Sequence, residues 1–144
     1  MYKVDKTLEL FNKGMNCSQA ILTVFGEEFG VSSGTAKKVG RPFGAGMGRL
    51  AKTCGALTGA VMVLGLAFDN DDEDQARGKA YQHVKDLFKR FRQRHGTTDC
   101  LELLGVDIGT EEGMKKIKEE KLIDKLCSRF VRDTAEILKN ILEA

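Results

Sequence analysis

The chain has 144 residues, 42% hydrophobic and 31% charged, with 23 Lys plus Arg against 21 Asp plus Glu and a formal net charge of +2. This is the balance of one globular domain, 1–144, and it excludes disordered, collagen-like and low-complexity chains. A nearly neutral surface offers no overall field for holding nucleic acid or anionic lipid.

Val4, Leu8 and Phe11 fall at helical spacing on a first helix that ends at Lys13-Gly14. A second helix starts on a capping-box pattern, Asn16 as N-cap and Gln19 three residues on, and continues through Ile21, Val24, Phe25 and Phe29 to Gly30. Ser33 can cap a short helix through Val39. A glycine-rich loop follows from Gly40 to Arg49 and includes the single proline, Pro42.

From Thr53 the pattern turns helical and is apolar on almost every side to Phe68, which predicts a central helix over about 54–68. The run is too short for the roughly 18–20 residues of a membrane span. Gly55 and Gly59 lie one turn apart within it, and since each costs about 1 kcal/mol relative to Ala, close backbone packing is the expected compensation. Asp69 to Asp74 is an acidic break before a helix to His95, whose basic second half suits the helix dipole. Thr97 to Gly105 reads as a short capped helix, Thr110 starts a charged one, and Cys127 to Leu142 is long and amphipathic. No hairpin signal appears, so the expected fold is all-α, a compact multi-helix bundle around the central helix.

The cysteines are Cys17, Cys54, Cys100 and Cys127, with no C-x-x-C. That spacing excludes a thioredoxin motif, a zinc ribbon and a ferredoxin run, so any shared site has to be assembled by the fold. The opening MYKVDKTLELF lacks the form of a secretory leader, and a cytoplasmic protein with reduced thiols is expected.

Cys17 follows Asn16, Cys54 follows Thr53, and Cys100 follows Thr98-Asp99, which places three thiols in the first turn of a helix. Free N–H groups and the dipole there favour the thiolate, the form that attacks disulfides and binds metals. The bland alternative is a small hydrophobe in a tight core. Cys54 is the expected attacking thiol, because the Thr53 cap, the following glycines and nearby Arg49 all favour its anion. Cys127 lacks a cap residue before it.

Other features carry less. Gly44, Gly46 and Gly48 are not the G-x-G-x-x-G of a nucleotide loop and read as a loop for close approach, with Arg41 and Arg49 leaving an anion nest as a minor idea. The acidic stretch from Asp69 has Asp74 where a calcium loop needs Gly, and reads as a solvated helix start. His83 and His95 are expected at the surface, as is the basic face from Lys85 to His95.

Taken with the stretch Cys54-Gly55-Ala56-Leu57-Thr58-Gly59, the four cysteines give the chain a resemblance to the small four-cysteine proteins named for the pattern Cys, Gly-Cys-Ala-x-x-Gly, Cys and Cys. The resemblance covers nearly the whole chain, although this sequence reads Cys54-Gly55-Ala56 where the label writes Gly-Cys-Ala. It implies a bacterial or archaeal redox-active protein, often encoded near transporter genes. It also supports treating Cys17, Cys54, Cys100 and Cys127 as one set.

The first expectation is thus thiol and disulfide chemistry by these four residues, with no cofactor required and a transporter or redox protein as partner. The second makes the same four thiolates ligands for zinc or an iron–sulfur cluster. The third is a structural or transporter-associated helical module with core cysteines.

Overall fold

A computed structural model describes residues 2–144 and is all-α. The helices are α1 (Tyr2–Asn12), α2 (Cys17–Gly26), α3 (Ser33–Gly40), α4 (Gly55–Ala67), α5 (Glu73–His95), α6 (Cys100–Leu104), α7 (Glu111–Glu120) and α8 (Ser128–Glu143). The only strand-like pairing among the described residues is an isolated antiparallel bridge between Thr53 and Asp99. No helix among them is long and apolar enough to cross a membrane.

Local chemistry sets most boundaries where the sequence puts them. Asn16 and Gln19 form a reciprocal capping box at α2, Thr110 caps α7 through the Gly113 N–H, and Gly14, at φ +115°, turns the chain out of α1. Three starts shift by one residue. Ser32 rather than Ser33 caps α3, Cys54 rather than Thr53 is the N-cap of α4, and α8 begins at Ser128 instead of Cys127. The shift at α4 arises because Thr53 is held extended by its bridge to Asp99.

The helix expected at the centre is there. Ala56, Leu57, Ala60, Val63 and Leu64 of α4 are wholly buried, against α2 on one side and α5 and α8 on others. α8 turns Val131, Ala135 and Leu138 into the same core, and α5 adds Leu87 and Phe91. The basic end of α5 is less solvated than its composition suggests. The His95 side chain is only 14% exposed, packs against Phe91 and Phe130, and lies 2.8 Å from Asp133, while Arg94 meets Asp133 and Glu136. His83 stacks on Phe68 with ring centroids 3.8 Å apart.

Gly59 explains how tightly α4 meets α2. A Cβ there would stand 2.9 Å from the Ser18 carbonyl oxygen and 3.1 Å from its Cα, both backbone atoms that cannot swing aside. Gly78, on exposed α5, faces open space. Gly78→Ala is therefore expected to stabilise the fold by up to about 1 kcal/mol through helix propensity. Gly59→Ala should destabilise it by about 1–2 kcal/mol, because overpacking costs more than propensity returns. Denaturant titration of the two variants checks the opposite signs.

Candidate functional site

Four chain segments end at one place. The first is the start of α2. Its capping box satisfies the Gln19 N–H through Asn16 Oδ1, which leaves the N–H groups of Cys17 and Ser18 free of that cap. Asn16 is itself anchored, its Nδ2 donating to the Arg41 carbonyl at 3.0 Å.

The second segment is the glycine-rich loop, and it is more ordered than a loop. Ala45, Gly46, Met47, Gly48 and Arg49 all have φ between +57° and +71°, a left-handed turn closed by the Gly48 N–H donating to the Gly44 carbonyl at 3.0 Å. Left-handed backbone costs a residue with a side chain about 1–2 kcal/mol. Ala45, Met47 and Arg49 accept that cost because glycines on either side let the turn wedge into place. A Cβ on Gly44 would stand 2.5 Å from Asn16 Nδ2, and one on Gly46 would stand 2.7 Å from both Ala51 Cα and Cys100 Cβ.

The third segment is the bridge. The Cys54 N–H donates to the Thr98 carbonyl at 2.9 Å, and the Cys100 N–H donates to the Lys52 carbonyl at 2.5 Å. Cys54 and Cys100 thus each stand one residue past the bridged pair, Thr53 and Asp99. Each then opens a helix, Cys54 as the N-cap of α4 and Cys100 as the first residue of α6.

The fourth is a π-helical turn, Ile123–Cys127, in which the Ser128 N–H reaches back five residues to the Ile123 carbonyl. A π turn inserts an extra residue into a helix and re-aims its side chains. It places Cys127 on the same cavity as the other three.

That cavity is about 340 Å³ in volume, and all four cysteines line it. Most of the remaining wall is apolar, including Phe11, Met15, Leu103, Ile108, Met114 and Phe130, with Asn12, Asn16, Arg49 and Asp124 as polar members. Cys17 and Cys127 are partly open, whereas Cys54 and Cys100 are 6% and 8% exposed. All four are free thiols. No three His, Cys, Asp or Glu side chains among the described residues are grouped to hold a metal ion.

Burial governs the acidity of every thiol. It pushes Cys54 well above the ordinary range, Cys127 up to about 12 and Cys100 up to about 11, with charge on Cys17 adding to each. The expectation of a low-pKa Cys54 is thereby overturned. Its sulfur makes no capping hydrogen bond, and the Ala56 and Leu57 N–H groups offset only part of the desolvation. Arg49 lines the cavity without lowering it.

Cys17 is raised too, again by burial, but the N–H groups of Cys17, Ser18, Ala45 and Ala56 oppose the rise. Those donors come from two helix starts and the left-handed turn. Gly55 permits the approach, since a Cβ there would stand 2.6 Å from the Cys17 sulfur.

Sequence reasoning names all four cysteines, and the fold brings them together. It does not find the apolar lining, whose residues resemble any other core, or the left-handed turn, whose one signal is the alternate spacing of Gly44, Gly46 and Gly48.

A protein-family model described as "Putative redox-active protein (C_GCAxxG_C_C)" matches residues 15–141. No curated protein and no solved structure matches the chain.

The raised values fix the pH dependence. At neutral pH the thiols are protonated, so alkylation of Cys100 and Cys127 by iodoacetamide is expected to be slow and to rise about tenfold per pH unit from 7 to 10. In the unfolded chain a thiol ionises near 8.5, below its folded value. The stability held in these neutral thiols is then fully present below about pH 8.5 and is lost as pH climbs towards 11–12. Melting temperature against pH, compared between the native chain and Cys127→Ala, checks this, the variant falling less over that range.

Proposed function

The chain belongs to the C_GCAxxG_C_C family, and from that premise we propose that its four cysteines perform thiol–disulfide exchange in the cavity they share. The observation that carries this reading is the convergence of four sequence-distant thiols on one apolar cavity.

Cys17 is the attacking thiol in this reading. It is partly open, and it alone has N–H groups from three separate segments to hold a transient anion. The Cys17 thiolate attacks one sulfur of a substrate disulfide, the S–S bond breaks, and the leaving thiolate takes up a proton. A second protein thiolate then attacks Cys17 in the mixed disulfide and releases the second substrate thiol. Two protein thiols are oxidised to one disulfide, and one substrate disulfide is reduced to two thiols. Cys127 is the resolving thiol, being the other partly open cysteine and standing on a π turn that aims it at the shared cavity. Cys54 and Cys100, the two more deeply buried cysteines, form an inner pair in this reading.

A thiol count after treatment with a small disulfide, with and without subsequent reduction, tests the reading. The native chain should lose at least two of its four thiols and regain them on reduction. Cys17→Ser should react at least tenfold more slowly, with unchanged circular dichroism. Four thiols that persist through the treatment would leave the cysteines as core residues.

A further inference from the structure

Beside the cysteine cavity lies a second one of about 340 Å³, lined by Arg49, Ile108, Gly109, Thr110, Glu111, Met114, Lys115 and Lys118. Arg49, Ile108 and Met114 line both, so the two spaces share a wall made of one cation and two apolar side chains. They differ in character. The first is lined mainly by apolar groups and sulfur, while the second presents three cations against the single carboxylate of Glu111.

Those cations are available. Lys115 and Lys118 are three residues apart on one face of α7, and neither they nor Arg49 forms an ion pair among the described residues, although the neighbouring Lys116 is within 4 Å of Glu120. The arrangement is also fixed by the backbone. A Cβ on Gly109 would stand 2.5 Å from the Arg49 carbonyl oxygen, so the left-handed turn and the loop before α7 are in direct contact. Arg49 is thereby held at the junction of the two cavities.

We infer that the second cavity is the recognition site for the anionic end of the substrate, which makes that substrate a low-molecular-mass disulfide bearing carboxylates. This rests on the thiol–disulfide reading above. The disulfide sulfurs sit in the cysteine cavity, and a carboxylate reaches past Ile108 and Met114 to Arg49, Lys115 and Lys118. The exchange stays balanced as before: one carboxylate-bearing disulfide gives two free thiols as two protein thiols close to a disulfide. Convergent cations at the mouth of an apolar cleft raise the local concentration of an anion and its rate of capture, an effect screened by salt.

The test compares three disulfide probes on the reduced protein at low ionic strength: anionic glutathione disulfide, uncharged bis(2-hydroxyethyl) disulfide and cationic cystamine. The native chain should be oxidised by glutathione disulfide about tenfold faster than by cystamine, the low end of electrostatic steering, with each rate scaled to the same probe's reaction with a free thiol. That ratio should shrink as salt is added. Lys115→Gln with Lys118→Gln should cut it by about threefold or more, Arg49 holding the remainder, whereas Lys79→Gln, on α5 away from both cavities, should retain it. A native ratio near one, or a ratio that survives the double change, overturns the inference and leaves the exchange reading standing. Failure of all three probes to oxidise any thiol overturns the exchange reading and this inference with it.

Discussion

The site depends on backbone closing to contact distance at three places where no side-chain carbon fits. Gly44 lies against the Asn16 side chain, Gly46 against Ala51 and Cys100, and Gly55 against the Cys17 sulfur. Without those approaches the left-handed turn could not sit between the starts of α2 and α4, and the N–H groups of Ala45 and Ala56 could not act on Cys17. Glycine is therefore used here for the room it leaves, and the left-handed φ at Gly46 is a second reason that nothing larger fits.

The same closure sets the chemistry in tension. Bringing three segments together around a sulfur supplies donors that favour its anion, and it also removes the water that would solvate that anion. Burial is the larger effect at every cysteine, and only at Cys17 do three separate segments oppose it. The consequence is a set of thiols that stay protonated at neutral pH, and in the proposed exchange they react only once a disulfide enters the cavity and accepts an electron pair. A raised pKa slows attack by lowering the thiolate fraction, but it makes the thiolate that does form the stronger nucleophile. In the proposed exchange, selectivity lies in what can enter, a matter for the cavity walls and their charges.

Much of the fold is legible in the sequence because its signals are local. The Asn16–Gln19 capping box, the Thr110 cap and the unbroken apolar run of α4 each act within a few residues of where they are written. The set of four cysteines is legible too, and the helix starts shared by three of them point to their meeting, although the cavity on which they meet is not legible. Cys54 shows where local reasoning stops. The Thr53 cap that would have put it in the first turn is drawn away by a bridge to Asp99, forty-six residues later, and the acidity expected from a helix start is overridden by burial. The left-handed turn is hidden for a similar reason, because Ala45, Met47 and Arg49 adopt it against their own preference. His95 likewise reads as a surface residue until Phe130 and Asp133 of α8 fold over it.

In the proposed exchange Cys17 is the sulfur that meets the substrate. The most direct measurement treats Cys127→Ser with less than one equivalent of a small disulfide and locates the resulting mixed disulfide by peptide mass mapping. With the resolving thiol removed, the mixed disulfide should accumulate on Cys17. A mixed disulfide on Cys54 or Cys100, or one spread evenly over the remaining thiols, would contradict it.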